Sequence, residues 1–154
     1  MGENVHPFLP RDQSEATRVT ISPGSIRPQQ TFALARMLVE WVRASAWVKV
    51  AVFVSAAEIW DGSEDLRLAS LLRQAHSVFD PLTETPFHVF EDFEAADSMS
   101  LVHLAIVSGW EASILAASSG RWVELIRDGA VTLHCPDTAT AQSASAYFGA
   151  FRPN

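Results

Sequence analysis

The stretch Trp47-Val48-Lys49-Val50-Ala51-Val52-Phe53-Val54 decides the fold. It is β-branched and almost continuously apolar, the pattern of a central strand covered on both faces. Upstream, Arg18-Val19-Thr20-Ile21-Ser22 alternates as a short strand does and is stopped by Pro23-Gly24. A helix is expected between the two, from Pro28 to Ala46, because proline in a first turn forfeits no hydrogen bond. Its polar residues Arg36, Glu40 and Arg43 share one narrow sector, and nearly everything else from Phe32 to Trp47 is apolar. Such a helix is either covered on two sides or lies in an oligomer interface, so a homo-oligomer is one of the two expectations. Strand, helix, strand in this order predicts a crossover with parallel neighbours.

Downstream, Ser63 suits the N-cap of a second helix, with Glu64 and Asp65 in its first turn. Leu68, Leu71, Leu72 and Ala75 are expected to form its core face, and Asp80-Pro81 to end it. Phe87-His88-Val89-Phe90 reads as a third strand. Apolar positions recur at helical spacing from Ala95 to Ser108, and Gly109 is a ready C-cap. Three short strands follow at 111–117, 122–127 and 131–135, joined by Ser119-Gly120 and Asp128-Gly129, before a closing Ala/Ser-rich helix to about Phe151. The expected fold is a single α/β domain with a layered mixed sheet, in the order β-α-β-α-β-α-β-β-β-α, ending in an antiparallel meander. Residues 1–15 lack periodicity and read as a flexible arm, leaving 16–154 as the domain.

The chain has 154 residues and a formal charge of −7, confined to its middle. Residues 58–97 hold ten acids and two bases, a balance of −8, while the remainder holds eight acids and nine bases. An acidic protein of this kind is a poor match for a nucleic-acid backbone. No apolar run reaches the ~20 residues that span a bilayer. The N-terminus has no secretory pattern and Cys135 is the only cysteine, so a reducing cytoplasm is expected. Ten arginines against the single Lys49 suggest a GC-rich bacterial source.

Trp60-x-x-Ser63-Glu64, then Leu72-Arg73-Gln74, then Pro86-x-His88-x-Phe90, then Gly109-Trp110 carry a likeness. In that order and spacing they resemble a family of small bacterial proteins that typically read Trp-Pro-Ser-Ser-Glu, Leu-Arg-Gln, Pro-Gly-His-Leu-Phe and Gly-Trp. The likeness covers about residues 47–135 and departs at Asp61, Phe87 and Arg127. It brings no activity, substrate or cofactor with it. It does direct interest to Trp60, Ser63, Glu64, Arg73, Gln74 and His88.

Each of these also has a structural explanation. Ser63 and Glu64 can simply cap a helix, and Arg73 can pair with a nearby carboxylate. Trp60 can plug the core or wall a pocket. His88 with Glu64 is a weak acid–base candidate, and a histidine among apolar residues is more often structural. Asp92, Glu94 and Asp97 lack the glycine-bent loop of a hard-cation site, so no metal is assigned. Phosphate-loop spacing and the nucleophile elbow are absent, and no cofactor is implied. Cys135 follows His134 directly, and neighbours on a strand point to opposite faces, so they form no catalytic pair.

Two functions remain. The first is a non-enzymatic cytoplasmic binding or regulatory module that offers its acidic segment, chiefly Glu91, Asp92, Glu94 and Asp97, to a cationic protein or peptide. The second is a small hydrolase or isomerase with a polar pocket at the Trp60–Glu64 loop and His88.

Overall fold

In a computed structural model, residues 17–45, 47–55, 59, 63–117 and 119–151 are described. The expected arm at 1–15 and Trp60 lie outside them, as do Glu58 and Asp61. Strands β1 (Arg18–Ile21), β2 (Val50–Val54), β3 (Phe87–Phe90), β4 (Ala112–Ala116), β5 (Trp122–Leu125) and β6 (Val131–His134) form one sheet. The helices are α1 (Thr31–Arg43), α2 (Glu64–Ala75), α3 (Ala95–Ser108) and α4 (Thr138–Tyr147). The α/β class and the order of elements are those expected.

Strand pairing differs in one respect. The spatial order is β1-β6-β5-β4-β2-β3, and every neighbouring pair is antiparallel. Four successive reversals separate β1 from β2, so the two do run parallel. They are not neighbours, because the β4-β5-β6 meander fills the slot between them. Hairpins need only short turns, and that local pairing wins over adjacency across a helix. The turn after β5 shows the means: Gly129 sits at φ 87°, and the Asp128 carboxylate accepts from the Ala130 amide.

The register divides the sheet into two faces. Val50, Val52 and Val54 point inward beside Phe90 and His88 of β3 and Ile114 of β4. Val123, Leu125, Val131, Leu133 and Ile21 continue that face. Helices α1 and α3 pack on it and on each other, α4 joins near β1, and α2 packs on α3. Phe148 after α4 meets Trp41 of α1 edge-on, and His76 after α2 meets His88 and Phe90. All four helices therefore lie on one side.

The apolar girth of α1 is explained by cover on two sides, the sheet and α3, and Leu34, Ala35, Leu38, Val39 and Val42 are fully buried. The oligomer expectation loses that support. The helix also ends earlier than Ala46: Ala44 takes the left-handed conformation at φ 58° and returns its amide to the Glu40 carbonyl. Helix α2 is rotated from the expected orientation. It buries Ala69 and Arg73, while Leu68 and Leu71 are exposed. One inward stripe at i and i+4 suffices for a helix that meets mainly α3.

The second face of the sheet has no described helix on it, which corrects the expectation that β2 is covered on both faces. Its side chains fall in two rows read straight from the register. One row runs Arg18, His134, Trp122, Leu115, Ala51, Val89, and the next Thr20, Thr132, Glu124, Ser113, Phe53, Phe87.

Candidate functional site

Two places concentrate chemistry. The first lies where the end of α2, strand β3 and the start of α3 meet. His88 projects inward from β3, its ring tilted 35° to that of Phe90 two residues along with centroids 4.2 Å apart, and is only 4% exposed. His76 caps α2 and packs its ring edge-on against both. Its Nδ1 lies 2.8 Å from Glu94 Oε1, and its Nε2 lies 2.9 Å from Asp97 Oδ2 at an angle that makes no hydrogen bond. The other Glu94 oxygen accepts from the Glu91 amide at 2.8 Å. Arg73 is fully buried on the same helix, one turn before His76.

The electrostatics follow from this crowding. Burial, then the Arg73 and His76 charges, push His88 below its ordinary 6.5, with Glu94 opposing. The Glu91 amide and the His76 ring hold Glu94 below the usual carboxylate value of 4.5. Burial draws the Arg73 guanidinium down from 12.5, while Asp80 pulls the other way. A lowered histidine means that the unfolded chain binds a proton which the folded chain resists. Stability is therefore expected to fall as pH drops from about 6.5 toward the folded His88 value, and to fall again below about 4.5 as Glu94 titrates. Urea midpoints measured at pH 7, 6 and 5 test this, since His88→Phe should flatten the upper part of the profile. An unchanged slope in that variant would show that His88 is not the titrating group.

The predicted site residues do not form one cluster. Arg73, His88, Glu94 and, through His76, Asp97 come together. Ser63 is the N-cap of α2, accepting from the Leu66 amide at 3.2 Å, and Glu64 and Gln74 are exposed. Glu64 opens α2 while His76 closes it, roughly 18 Å apart along the axis at ~1.5 Å per residue. That places Glu64 well away from His88 and leaves the acid–base pair unassembled. Trp60 lies outside the described residues.

The four acids expected to face a partner are engaged within the chain. Asp92 accepts from the Arg43 guanidinium and from the Trp47 amide. Glu91 pairs with Lys49 at 2.6 Å, and Glu94 and Asp97 flank His76. His76 was missed in the sequence because a histidine after a helical run carries no local signal. Only the approach of β3 and α3 gives it partners.

The second place is the sheet face opposite the helices. One groove of about 500 Å³ runs over Ala51, Phe87, Val89, Leu115 and Trp122, with Lys49 and Arg121 at one end. A second, of about 370 Å³, lies at the other end of the same strands beside Phe53 and Ser113, and among the described residues its lining holds Glu111 and Glu124 but no base. Trp122 stacks on His134 with ring centroids 3.5 Å apart, and His134 Nε2 lies 2.8 Å from Glu124. Cys135 is buried on the helix side, and burial pushes its thiol up to about 11. A thiol this reluctant to ionise is a poor nucleophile.

No family model, curated protein or solved structure matches the chain. Among the described residues no helix is long and apolar enough to cross a membrane.

Proposed function

We propose that the protein is a non-enzymatic binding module whose working surface is the face of its sheet that no described helix covers. The observation that carries this reading is the face itself, where Phe87 and Val89 stand 40% and 45% exposed in one groove and a second groove lies toward the other end of the strands. The occupant is a basic, partly apolar segment of another protein. Charge supports that choice. Lys49 is already paired with Glu91, and Arg121 donates to the Trp41 carbonyl. Glu111 and Glu124 are the acids of the second groove. The cationic partner suggested by the overall acidity is thus kept, with exposed Glu111 and the Glu124 carboxylate, 40% exposed beside His134, in place of the Glu91–Asp97 group. Exposed Trp47 and Phe93, just beyond the Lys49 and Glu91 ends of β2 and β3, are residues of the kind that anchor interfaces. The single cysteine, which can form no disulfide within the chain, favours a reducing compartment such as the cytoplasm.

The alternative, a small hydrolase or isomerase at Trp60–Glu64 and His88, needs Glu64 and His88 in contact. Glu64 opens α2, whereas His88 lies on β3 against His76 at the other end of that helix, and this separation favours binding over catalysis.

A synthetic peptide alternating leucine and lysine is the probe. Its binding is expected to perturb amides of β2 to β5, to weaken with salt, and to drop about tenfold in Glu111→Lys/Glu124→Lys. If the perturbed amides map to 91–97 instead, or the double variant binds unchanged, this surface is wrong.

A further inference from the structure

Among the described residues Arg73 is the largest fully buried side chain. Among the described residues none of its Nε, Nη1 or Nη2 atoms has a hydrogen-bond partner. His88 Nδ1, on the inward face of β3, is buried in the same unmatched state. A guanidinium carries five N–H donors, and a buried charge without a counter-group is among the costliest arrangements a core can hold. Neither available compensation completes it. Asp80 acts on Arg73 through charge with no hydrogen bond between them, and the last turn of α2 favours a cation without satisfying its N–H groups. Arg73 lies one turn before His76 on α2, and the His76 ring packs edge-on against His88 with centroids 5.5 Å apart, so both unmatched side chains belong to one buried cluster.

We propose that Arg73 and His88 form a binding site for a monocarboxylate. The carboxylate lies across the guanidinium fork, accepting two parallel N–H bonds, and takes a third from His88 in its neutral Nδ1–H form. A monoanion is selected over a phosphate dianion by the surroundings. One guanidinium offers one positive charge, and Glu94, Asp97 and Asp80 already supply negative charge nearby. The planar fork and the Phe90 ring against His88 likewise suit a flat group over a tetrahedral one. This site faces the helix layer, on the other side of the sheet from the proposed partner surface, and stands or falls separately from it.

Acetate is the probe, added to the full ¹⁵N-labelled chain at constant ionic strength against chloride. One arginine Nε–H resonance should shift saturably, and the melting midpoint should rise. A native-state ligand at a hundred times its Kd raises the midpoint of a domain this size by roughly 5–10 °C. Arg73→Met should abolish both effects, and His88→Phe should weaken binding about tenfold. The histidine variant keeps the test decisive if the arginine variant does not fold. Absence of a saturable shift in the wild-type chain overturns the proposal. So does phosphate binding more tightly than acetate. If acetate acts only on Glu58→Gln or Asp61→Asn, a carboxylate of this chain fills the site, and the ligand reading is likewise overturned.

Discussion

Phe90→Ala is expected to destabilise the protein by about 3–5 kcal/mol, the usual cost of removing a buried phenyl ring. Phe90 is wholly buried on β3 and packs directly against both His76 and His88. Its loss removes apolar burial and leaves a cavity that flanking helices fill only in part. Urea denaturation should show a lower midpoint with an unchanged slope, and the melting midpoint should fall by roughly 6–20 °C. A second readout separates this ring from an ordinary core residue. With water admitted beside it, His88 should titrate closer to its ordinary value of 6.5 in the variant. A loss below about 1 kcal/mol would mean that the ring is not packed as described.

Asp92→Ala carries the second large effect, about 1–3 kcal/mol. The carboxylate holds both the Arg43 side chain at the end of α1 and the Trp47 amide in the turn that leads to β2. Arg43 and Asp92 side chains are only 16% and 26% exposed, and Arg43 Nε already lacks a partner among the described residues. Removing the acid therefore strands a half-buried cation and frees a turn in which Trp47 adopts a φ of 67°. The cost should shrink markedly in an Arg43→Met background, because the stranded charge is then gone. A double-mutant cycle with no coupling would show the pair to be a solvated surface contact.

This prediction also bears on the acidic segment. Its last four acids looked available from the sequence because charge can be counted there while its partners cannot. Lys49 and Glu91 are 42 residues apart, and Arg43 and Asp92 are 49 apart. Only the adjacency of β2 and β3 brings them together. Helix limits were more legible. The limits of α3 and its Gly109 cap, with φ 66°, follow from local pattern and local backbone demand. So does the Ser63 cap of α2.

The face of α2 was not legible, since Leu68 and Leu71 look like core residues in any local window. Their exposure reflects where α3 lies, which no local propensity encodes. His88 is an intermediate case. Its alternation with Phe87 and Val89 placed it on the Phe90 face, but its burial beside His76 required the helix to close over it.

The amino-acid sequence by itself determined the order of elements, the α/β class, the caps and the hairpin turns. Each of these depends on residues within a few positions of one another. Tertiary structure alone decided the rest: three strands set between β1 and β2, the acids paired within the chain, and, among the described residues, one sheet face without helices and Arg73 buried unmatched. These depend on contacts between residues far apart in the chain, where a shift of one strand position or one helical turn exchanges inward for outward side chains.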